Sequence, residues 1–449
     1  MNDVLGFGSG NINLVLLVYI NDFYEKGFNT MALNKKPVTG MKDIMPDEME
    51  IRQYVQGIIS DTYASFGFTR IETPCVETIE NLTSKSGGDN EKLIFRILKR
   101  GEKLSLETAK TQDDLVDSGL RYDLTVPLVR YYSNNSANLP VPFKAIQMGN
   151  VWRADRPQRG RFRQFMQCDI DILGESDNLA EIELILATTK ALGRLDFKDF
   201  EIRINDRRLL KAMAGWAGFK EENYDSVFIT IDKMDKIGVE GVKSELLENG
   251  YQEDTVSKYV ELLDAAVSGK ATLESILEKI GTDLVGVPVE NLKEIIASVD
   301  SAKEADFKMV FDPTLVRGMS YYTGTIFEIA IPEFGGSCGG GGRYDEMVGK
   351  FTGQSVPACG FSIGFERIVM LLMEKGFKIP GSTGGKAYLI EKGISGDRLS
   401  EILKKASDER KAGKKVLTVR MNKNKKFQKE QLEKAGYTEF EDFYREALK

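Results

Sequence analysis

Residues 143–173 read F-K-A-I-Q-M-G-N-V-W-R-A-D-R-P-Q-R-G-R-F-R-Q-F-M-Q-C-D-I-D-I-L, and this stretch decides the fold. Phe143 to Arg153 reads as a strand, and Ala154 to Gly160 is a polar, basic loop. Arg161 to Leu173 then alternates with period two. Arg161, Arg163, Phe165, Gln167, Asp169 and Asp171 share one face; Phe162, Gln164, Met166, Cys168 and Ile170 share the other. Two long antiparallel strands joined by a basic loop follow.

Working outward, Pro46-Asp47-Glu48 opens an amphipathic helix that Gly67 closes. Phe68 to Val76 is expected to be a strand whose Pro74 demands an edge or an interface. Leu120 to Arg130 is expected to begin as a strand with Asp123 and Thr125 on one face, Pro127 then starting a helix. Residues 207–305 are charged, helical in pattern and free of site-like features, so they read as an inserted helical domain. Residues 306–333 return to strands, Gly335 to Gly342 reads as a loop, and Phe361 to Lys375 as strand then helix. After the linker 379–385, the order strand, helix, strand, helix predicts a small α/β module.

The chain has 449 residues, enough for several domains, and an ordinary soluble composition with 42% hydrophobic and 29% charged residues. Cys75, Cys168, Cys338 and Cys359 stand far apart, and no histidine occurs, which argues against a structural zinc site and fits a reducing, cytoplasmic setting. Residues 386–449 carry 17 Lys and Arg against 11 Asp and Glu, in a chain of formal net charge −7. A basic module on an acidic body is either a solvated helical face or a nucleic-acid footprint. Ile12 to Ile20 is apolar but too short to span a bilayer and lacks a basic leader, so no membrane role is expected. Met31 reads as the natural start, with residues 1–30 either upstream read-through or a disordered N-terminal tail.

With no histidine, no step can use a side-chain imidazole. No Walker loop is present either. Instead three arginines, Arg153, Arg317 and Arg367, adjoin strand-like sequence in three separate segments. Guanidinium suits phosphate and carboxylate, and arginines with Mg²⁺ can neutralise a triphosphate without a P-loop. Arg317 is followed closely by Tyr321 and Tyr322, and the run Gly339 to Gly342 by Arg343-Tyr344-Asp345. By composition a glycine run serves a tight turn as readily as a pocket. In this company it suggests a pocket for an anionic ligand with a flat polar portion.

These residues carry a resemblance. The helix–strand–Pro74 unit, R-A-D-R-P-Q-R-G-R-F-R-Q-F at 153–165 and G-F-S-I-G-F-E-R at 360–367 look like motifs 1, 2 and 3 of class II aminoacyl-tRNA synthetases. The segments L-V-R-G-M-S-Y-Y and G-G-R-Y-D are similar to the two histidine-pocket signatures of the histidyl-tRNA synthetase family. The resemblance runs from about Met31 to Lys375 and weakens after Lys386. It implies an α+β fold: a class II synthetase-like antiparallel sheet flanked by helices, with a helical insertion and a small C-terminal α/β domain. The implied domains are 31–206 and 306–378 (catalytic), 207–305 (insertion) and 386–449 (a shortened anticodon-binding-like module).

The resemblance further implies ATP-dependent activation of histidine and transfer to the 3′ end of tRNA(His) by a homodimer, with Mg²⁺ bridging the phosphates and no metal site made of protein side chains. Arg153 would contact the α-phosphate and the substrate carboxylate, Arg367 the γ-phosphate, and Arg317 the α-phosphate in the transition state, with Arg161 also on ATP. Asp123, Thr125 and Gln167 would hold the α-ammonium. Asp171 and Tyr322 would grip the imidazole nitrogens, with Tyr321 and Tyr344 lining the pocket. Gln167 could also assist the transfer step, and Gln158 and Arg159 would reach the tRNA acceptor end. Asp171 stands where many bacterial members carry glutamate, Ser320 replaces a common acid, and Met166 is expected to pack rather than react. The rival reading is a synthetase-like histidine-binding regulator, of the kind that serves ATP phosphoribosyltransferase.

Overall fold

The computed structural model describes residues 34–83, 89–269, 271–316, 321–381 and 384–445. The chain forms two compact units, Met1–Asp43 and Ile44–Lys449. In the first, residues 34–43 are irregular, with the Met41 N–H donating to Val38 O over 2.9 Å. Residues 1–30 and Met31, the expected extension and start, lie outside the described residues.

The strands of the second unit in chain order begin with β1 (Thr69–Arg70), β2 (Val76–Thr78), β3 (Arg96–Leu98), β4 (Val116–Leu120), β5 (Phe143–Trp152), β6 (Gln164–Leu173) and β7 (Phe200–Asp206). They continue with β8 (Phe307–Phe311), β9 (Thr325–Ile331), β10 (Gly336–Arg343), β11 (Ala358–Ile363), β12 (Gly385–Ile390), β13 (Val416–Arg420) and β14 (Tyr437–Phe443). Eight of them form one sheet in the order β1-β5-β6-β11-β10-β9-β7-β8. Its middle is antiparallel, while the outer pairs β1–β5 and β7–β8 are parallel.

β5 and β6 pair from Phe143↔Leu173 to Trp152↔Gln164, as the period-two pattern requires. On one face Cys168, Ile170 and Ile172 enter a core with Val55 and Ile59 of the helix Pro46–Ser65 and Leu184 and Ile185 of the helix Leu179–Arg194. Each large aliphatic side chain buried there contributes about 1.5–3 kcal/mol. The other face carries Gln167, Asp169 and Asp171. The helices of 207–302 contribute Leu210, Val227, Tyr259 and Leu292 to the same core. β12, β13 and β14 form a parallel three-stranded sheet around Tyr388, Ile402 and Ala406, adding a final strand to the α/β module read from sequence. No helix of the described residues is long and apolar enough to cross a membrane.

Four local expectations are corrected. The glycine run is a central strand, not a loop: β10 lies between β9 and β11. Close backbone approach explains it, because a Cβ at Gly341 would fall 1.9 Å from Gly360 O and one at Gly342 2.6 Å from Thr325 O. Asp123 and Thr125 are not on a strand; β4 ends at Leu120 and a helix spans Thr125–Asn135. There the Asp123 Oδ1 accepts the Val126 N–H over 2.9 Å, a side-chain bond that competes with strand pairing. The segment 68–76 is strand only at Thr69–Arg70 and from Val76, because Pro74 has no N–H to give a ladder. Finally, β6 starts at Gln164, not Arg161, since Arg161 and Gln158 close a tight bridge of their own.

Candidate active site

The charged face of β6 floors a cavity of about 440 Å³. Asp171 sits opposite Gly360 of β11, which sits opposite Gly342 of β10; Asp169 sits opposite Ser362, which faces Gly340. Small residues across from each acid keep the floor low. A Cβ on Gly360 would stand 2.0 Å from the Asp171 Oδ1, so a side chain there would fill the slot. The glycine-rich strands are therefore the means by which a flat sheet makes room for a ligand.

At one end the Tyr344 hydroxyl donates to Asp171 Oδ1 over 2.6 Å, and Asp171 Oδ2 is buried with no hydrogen-bond partner among the described residues. Tyr321 lies edge-on to Tyr344 at 6.1 Å and tilted on Tyr322 at 4.8 Å, so three phenol rings wall this end. Burial, and with it the Asp123 charge, pushes the Asp171 carboxyl up to about 7 although the Tyr344 bond pulls it down. Burial, then the Asp171 charge, holds Asp169 well above the usual carboxylate range. Gln167 donates its Nε2 to Asp169 Oδ2 at 3.1 Å, while its Oε1 is buried without a partner among the described residues. Two unpartnered buried acceptors thus belong to residues lining a cavity that already holds several acids, an arrangement that suits a ligand bringing N–H donors and positive charge.

The opposite end is basic. Arg153 follows β5, donates Nε to Tyr122 O at 3.0 Å and is packed between the Tyr122 and Phe165 rings. Arg367 projects from the first turn of the helix Phe365–Glu374, donates to Ser337 O and lies over Phe334. Both line the cavity, as does the exposed Arg161, 3.8 Å from Asp155. Glu366, next to Arg367, receives both arms of Arg52 at 2.6 and 2.9 Å and the Met166 N–H at 3.0 Å. This clamp locks the arginine-bearing helix onto β6 and onto the helix Pro46–Ser65.

The structure brings Asp123, Thr125, Arg153, Arg161, Gln167, Asp171, Tyr321, Tyr322, Tyr344 and Arg367 to this one cavity. Arg317 lies outside the described residues, as does Ser320. Gln158 and Arg159 are exposed and do not line the cavity; Arg159 pairs with Glu374 at 2.7 Å and covers Phe334. Arg343 turns away from the cavity to make a bidentate pair with Glu181 at 2.7 and 2.6 Å. Met166 packs against the core, its sulfur accepting from Gln56 Nε2 at 3.1 Å, yet it also lines the cavity. Burial pushes the Cys168 and Cys359 thiols well up and Cys338 to about 12, in keeping with unreactive thiols. Sequence reasoning placed Asp169 on the right face without giving it a role, and missed Asp155, Asp232 and Ser362 among the lining residues. Asp169 carried a signal in its even spacing from Gln167 and Asp171, and Asp155 and Ser362 stand inside the quoted stretches 153–165 and 360–367, whereas Asp232 carried none.

Comparison with known proteins agrees with this geometry. A family model described as histidyl-tRNA synthetase matches residues 40–368. The chain is 43% identical over 423 residues to a histidine–tRNA ligase of Leifsonia xyli subsp. xyli, covering 91% of this chain and 95% of that relative. It is 37% identical over 360 residues to a histidine–tRNA ligase of Christiangramia forsetii, covering 77% and 78%. The crystal structure of histidyl-tRNA synthetase from Nostoc sp. PCC 7120 superposes with TM-score 0.71 at 28% identity, over 90% of each chain. A Bacillus halodurans structure titled ATP phosphoribosyltransferase regulatory subunit/histidyl-tRNA synthetase shares the fold, with TM-score 0.73 at 20% identity over 92% of this chain and 99% of that one.

Proposed function

The chain belongs to the histidyl-tRNA synthetase family, and on that premise we propose that it joins histidine to the 3′ end of tRNA(His) at the expense of ATP. In the first step a carboxylate oxygen of histidine attacks the α-phosphorus of ATP, and pyrophosphate leaves. In the second a ribose hydroxyl at the tRNA 3′ end attacks the adenylate carbonyl, and AMP leaves. The amino acid supplies its own nucleophile, so activation needs no protein base. That suits a chain with no histidine side chain. ATP enters as its Mg²⁺ complex, the ion being part of the substrate.

The observation that carries this reading is the polarity of the cavity along β6: Arg153 lies over Phe165 near the start of the strand, the Asp171–Tyr344 pair stands near its end, and Arg367 lines the same cavity. In this assignment Arg153 holds the α-phosphate and substrate carboxylate, Arg367 the distal phosphates with Arg161 at the rim, and Arg317 the α-phosphate. Asp123, Thr125 and Gln167 take the α-ammonium. Asp171 Oδ2 accepts one imidazole N–H, Tyr322 meets the second nitrogen, and Tyr321 and Tyr344 wall the ring. A buried acceptor left unpaired by an isosteric side chain costs enough to give discrimination.

Gln158 and Arg159 are assigned to the acceptor end of the tRNA, where residues 156–159 and 161 of the basic loop are exposed. Residues 31–206 and 306–378 serve as the catalytic domain, 207–305 as an insertion and 386–449 as a shortened tRNA-binding module. A homodimer is supported by the exposed Val76 and Leu98 on the small sheet β2-β4-β3. The alternative, a histidine-binding regulator without catalysis, is disfavoured because Arg153 and Arg367 still line the cavity. Histidine-dependent ATP–pyrophosphate exchange by the purified protein tests the reading. Histidine binding with no exchange would move the protein to the regulatory class.

A further inference from the structure

Resting on that reading, we propose that Asp169 is a positioning residue that fixes which end of the Gln167 amide faces the cavity, and so commits the site to an ammonium rather than a hydroxyl beside the substrate carboxylate. The observation behind it is an asymmetry at Gln167. Its Nε2 lies 3.1 Å from Asp169 Oδ2 and 3.4 Å from both Asp169 Oδ1 and Ser362 Oγ. Its Oε1, nine-tenths or more buried with the rest of the side chain, has no hydrogen-bond partner among the described residues. The two residues are i and i+2 on β6, so their side chains stand side by side on the cavity floor.

An amide has one donating and one accepting end, and turning it over exchanges them. Where Asp169 is ionised, a turned-over Gln167 would set its oxygen against a carboxylate and lose the hydrogen bonds of Nε2; a protonated Asp169 could donate to that oxygen, so the exchange assays are run above the raised Asp169 pKa. Asp169 therefore selects the rotamer with Oε1 free. A free acceptor suits an ammonium, which only donates, whereas a hydroxyl can donate or accept and is served by either rotamer. Asp169 itself is 4% exposed and is paired in the sheet with Ser362, so it is held in place on the cavity floor beside Gln167.

The discriminating experiment is ATP–pyrophosphate exchange with L-histidine and with its α-hydroxy analogue, imidazole-lactate, using wild type, Asp169→Asn, and the exchanged pair Gln167→Glu/Asp169→Asn. An asparagine in place of Asp169 can accept as well as donate, so Gln167 is released to turn over. The expected result is a rise in KM for histidine of about tenfold or more, kcat within threefold, unchanged KM for ATP, and a preference for histidine over the hydroxy acid narrowed by about tenfold. In the exchanged pair the amide introduced at position 169 donates to the carboxylate introduced at position 167, whose other oxygen faces the cavity, and the preference returns.

Wild type that shows no exchange with histidine would refute the enzymatic reading itself, separately from this proposal. With wild type active, an unchanged preference in Asp169→Asn, or an exchanged pair as impaired as the single variant, overturns the positioning role. If the single variant does not fold, a folded exchanged pair with the wild-type preference supports it; failure of both to fold makes Asp169 a structural group and overturns it.

Discussion

The Tyr344 hydroxyl donates to Asp171 Oδ1 over 2.6 Å, and among the described residues it is the only hydrogen-bond donor to this buried carboxylate. Tyr344, which the sequence suggested only as a wall, thus acts on the cavity-lining acid through its own proton. Tyr344→Phe removes that donor and leaves burial unopposed, so the Asp171 carboxyl is held more firmly in its neutral form. KM for histidine is expected to rise roughly tenfold, the loss of about one charge-assisted hydrogen bond. KM for ATP should not move. Steady-state exchange kinetics at pH 7 check this, and equal effects on both substrates would show general damage to the site instead.

Asp171 also makes the unliganded protein sensitive to pH. Its folded value of about 7 lies above the ordinary carboxylate value of about 3.9. Between those values the unfolded chain has released the proton while the folded chain retains it. Stability is therefore fully present below about pH 4 and is lost as pH rises through about 7, by on the order of 4 kcal/mol. Asp171→Asn has no proton to lose. The gap in melting temperature between the variant and wild type should widen in the variant's favour from pH 4.5 to 7.5 and then level off. Adding histidine should shrink it for wild type, by supplying the buried charge with a partner.

The arginines divide by substrate. Arg153 contacts the point where carboxylate and α-phosphate meet in our assignment, and Arg153→Ala is expected to lower kcat of exchange by about 10²–10³. Arg367 sits further along the cavity, held by Ser337 O and Phe334. Arg367→Ala should chiefly raise KM for ATP, leaving histidine binding within a few fold. Calorimetric titration of histidine without ATP separates the two roles.

How much of this could be read in the chain varies with the kind of signal. The β5–β6 pair was legible because a period-two pattern over ten residues has one physical reading, and it placed Gln167, Asp169 and Asp171 on one face. Arg153 and Arg367 were legible because, together with Arg317, they adjoin strand-like sequence in separate segments and stand in the motif-like stretches 153–165 and 360–367. The glycine strand was not legible. Gly339 to Gly342 has no side chains and hence no period, and its role depends on how close Gly360 and Thr325 come from elsewhere in the chain. The Asp123 turn misled for a related reason, since a local side-chain bond to Val126 N–H overrode the strand pattern. Asp232 at the cavity rim arrives from a helical segment with no motif of its own, so only tertiary contact could place it.

The glycine strand yields a direct test. Gly341→Ala would put a Cβ 1.9 Å from Gly360 O, in backbone that cannot move without opening β10 from β11. A loss of several kcal/mol, or failure to fold, is expected, because overpacking against backbone exceeds the usual cost of about 1–3 kcal/mol. Gly353→Ala makes a useful contrast: no atom lies within 4 Å of its Cβ, but its φ of +72° disfavours a side chain. That cost is about 1 kcal/mol. Chemical denaturation of the two variants should rank them in that order.

Two Arg–Glu ion pairs of nearly equal length differ in burial. Arg52 and Glu366 meet at 2.6 Å with side chains 7% and 8% exposed; Arg159 and Glu374 meet at 2.7 Å with side chains 53% and 49% exposed. Water screens the second, so Arg159→Ala should change stability by no more than about 1 kcal/mol, with the residual effect vanishing in about 0.5 M salt. The first has already lost its hydration. Arg52→Met strands Glu366 in the core with one remaining donor, the Met166 N–H, and should cost about 3–5 kcal/mol regardless of salt. Because Glu366 precedes Arg367 in the same helical turn, Arg52→Met should also raise KM for ATP, though Arg52 does not line the cavity. A variant as stable as wild type with an unchanged KM for ATP would show that the clamp neither supports the fold nor aims the arginine.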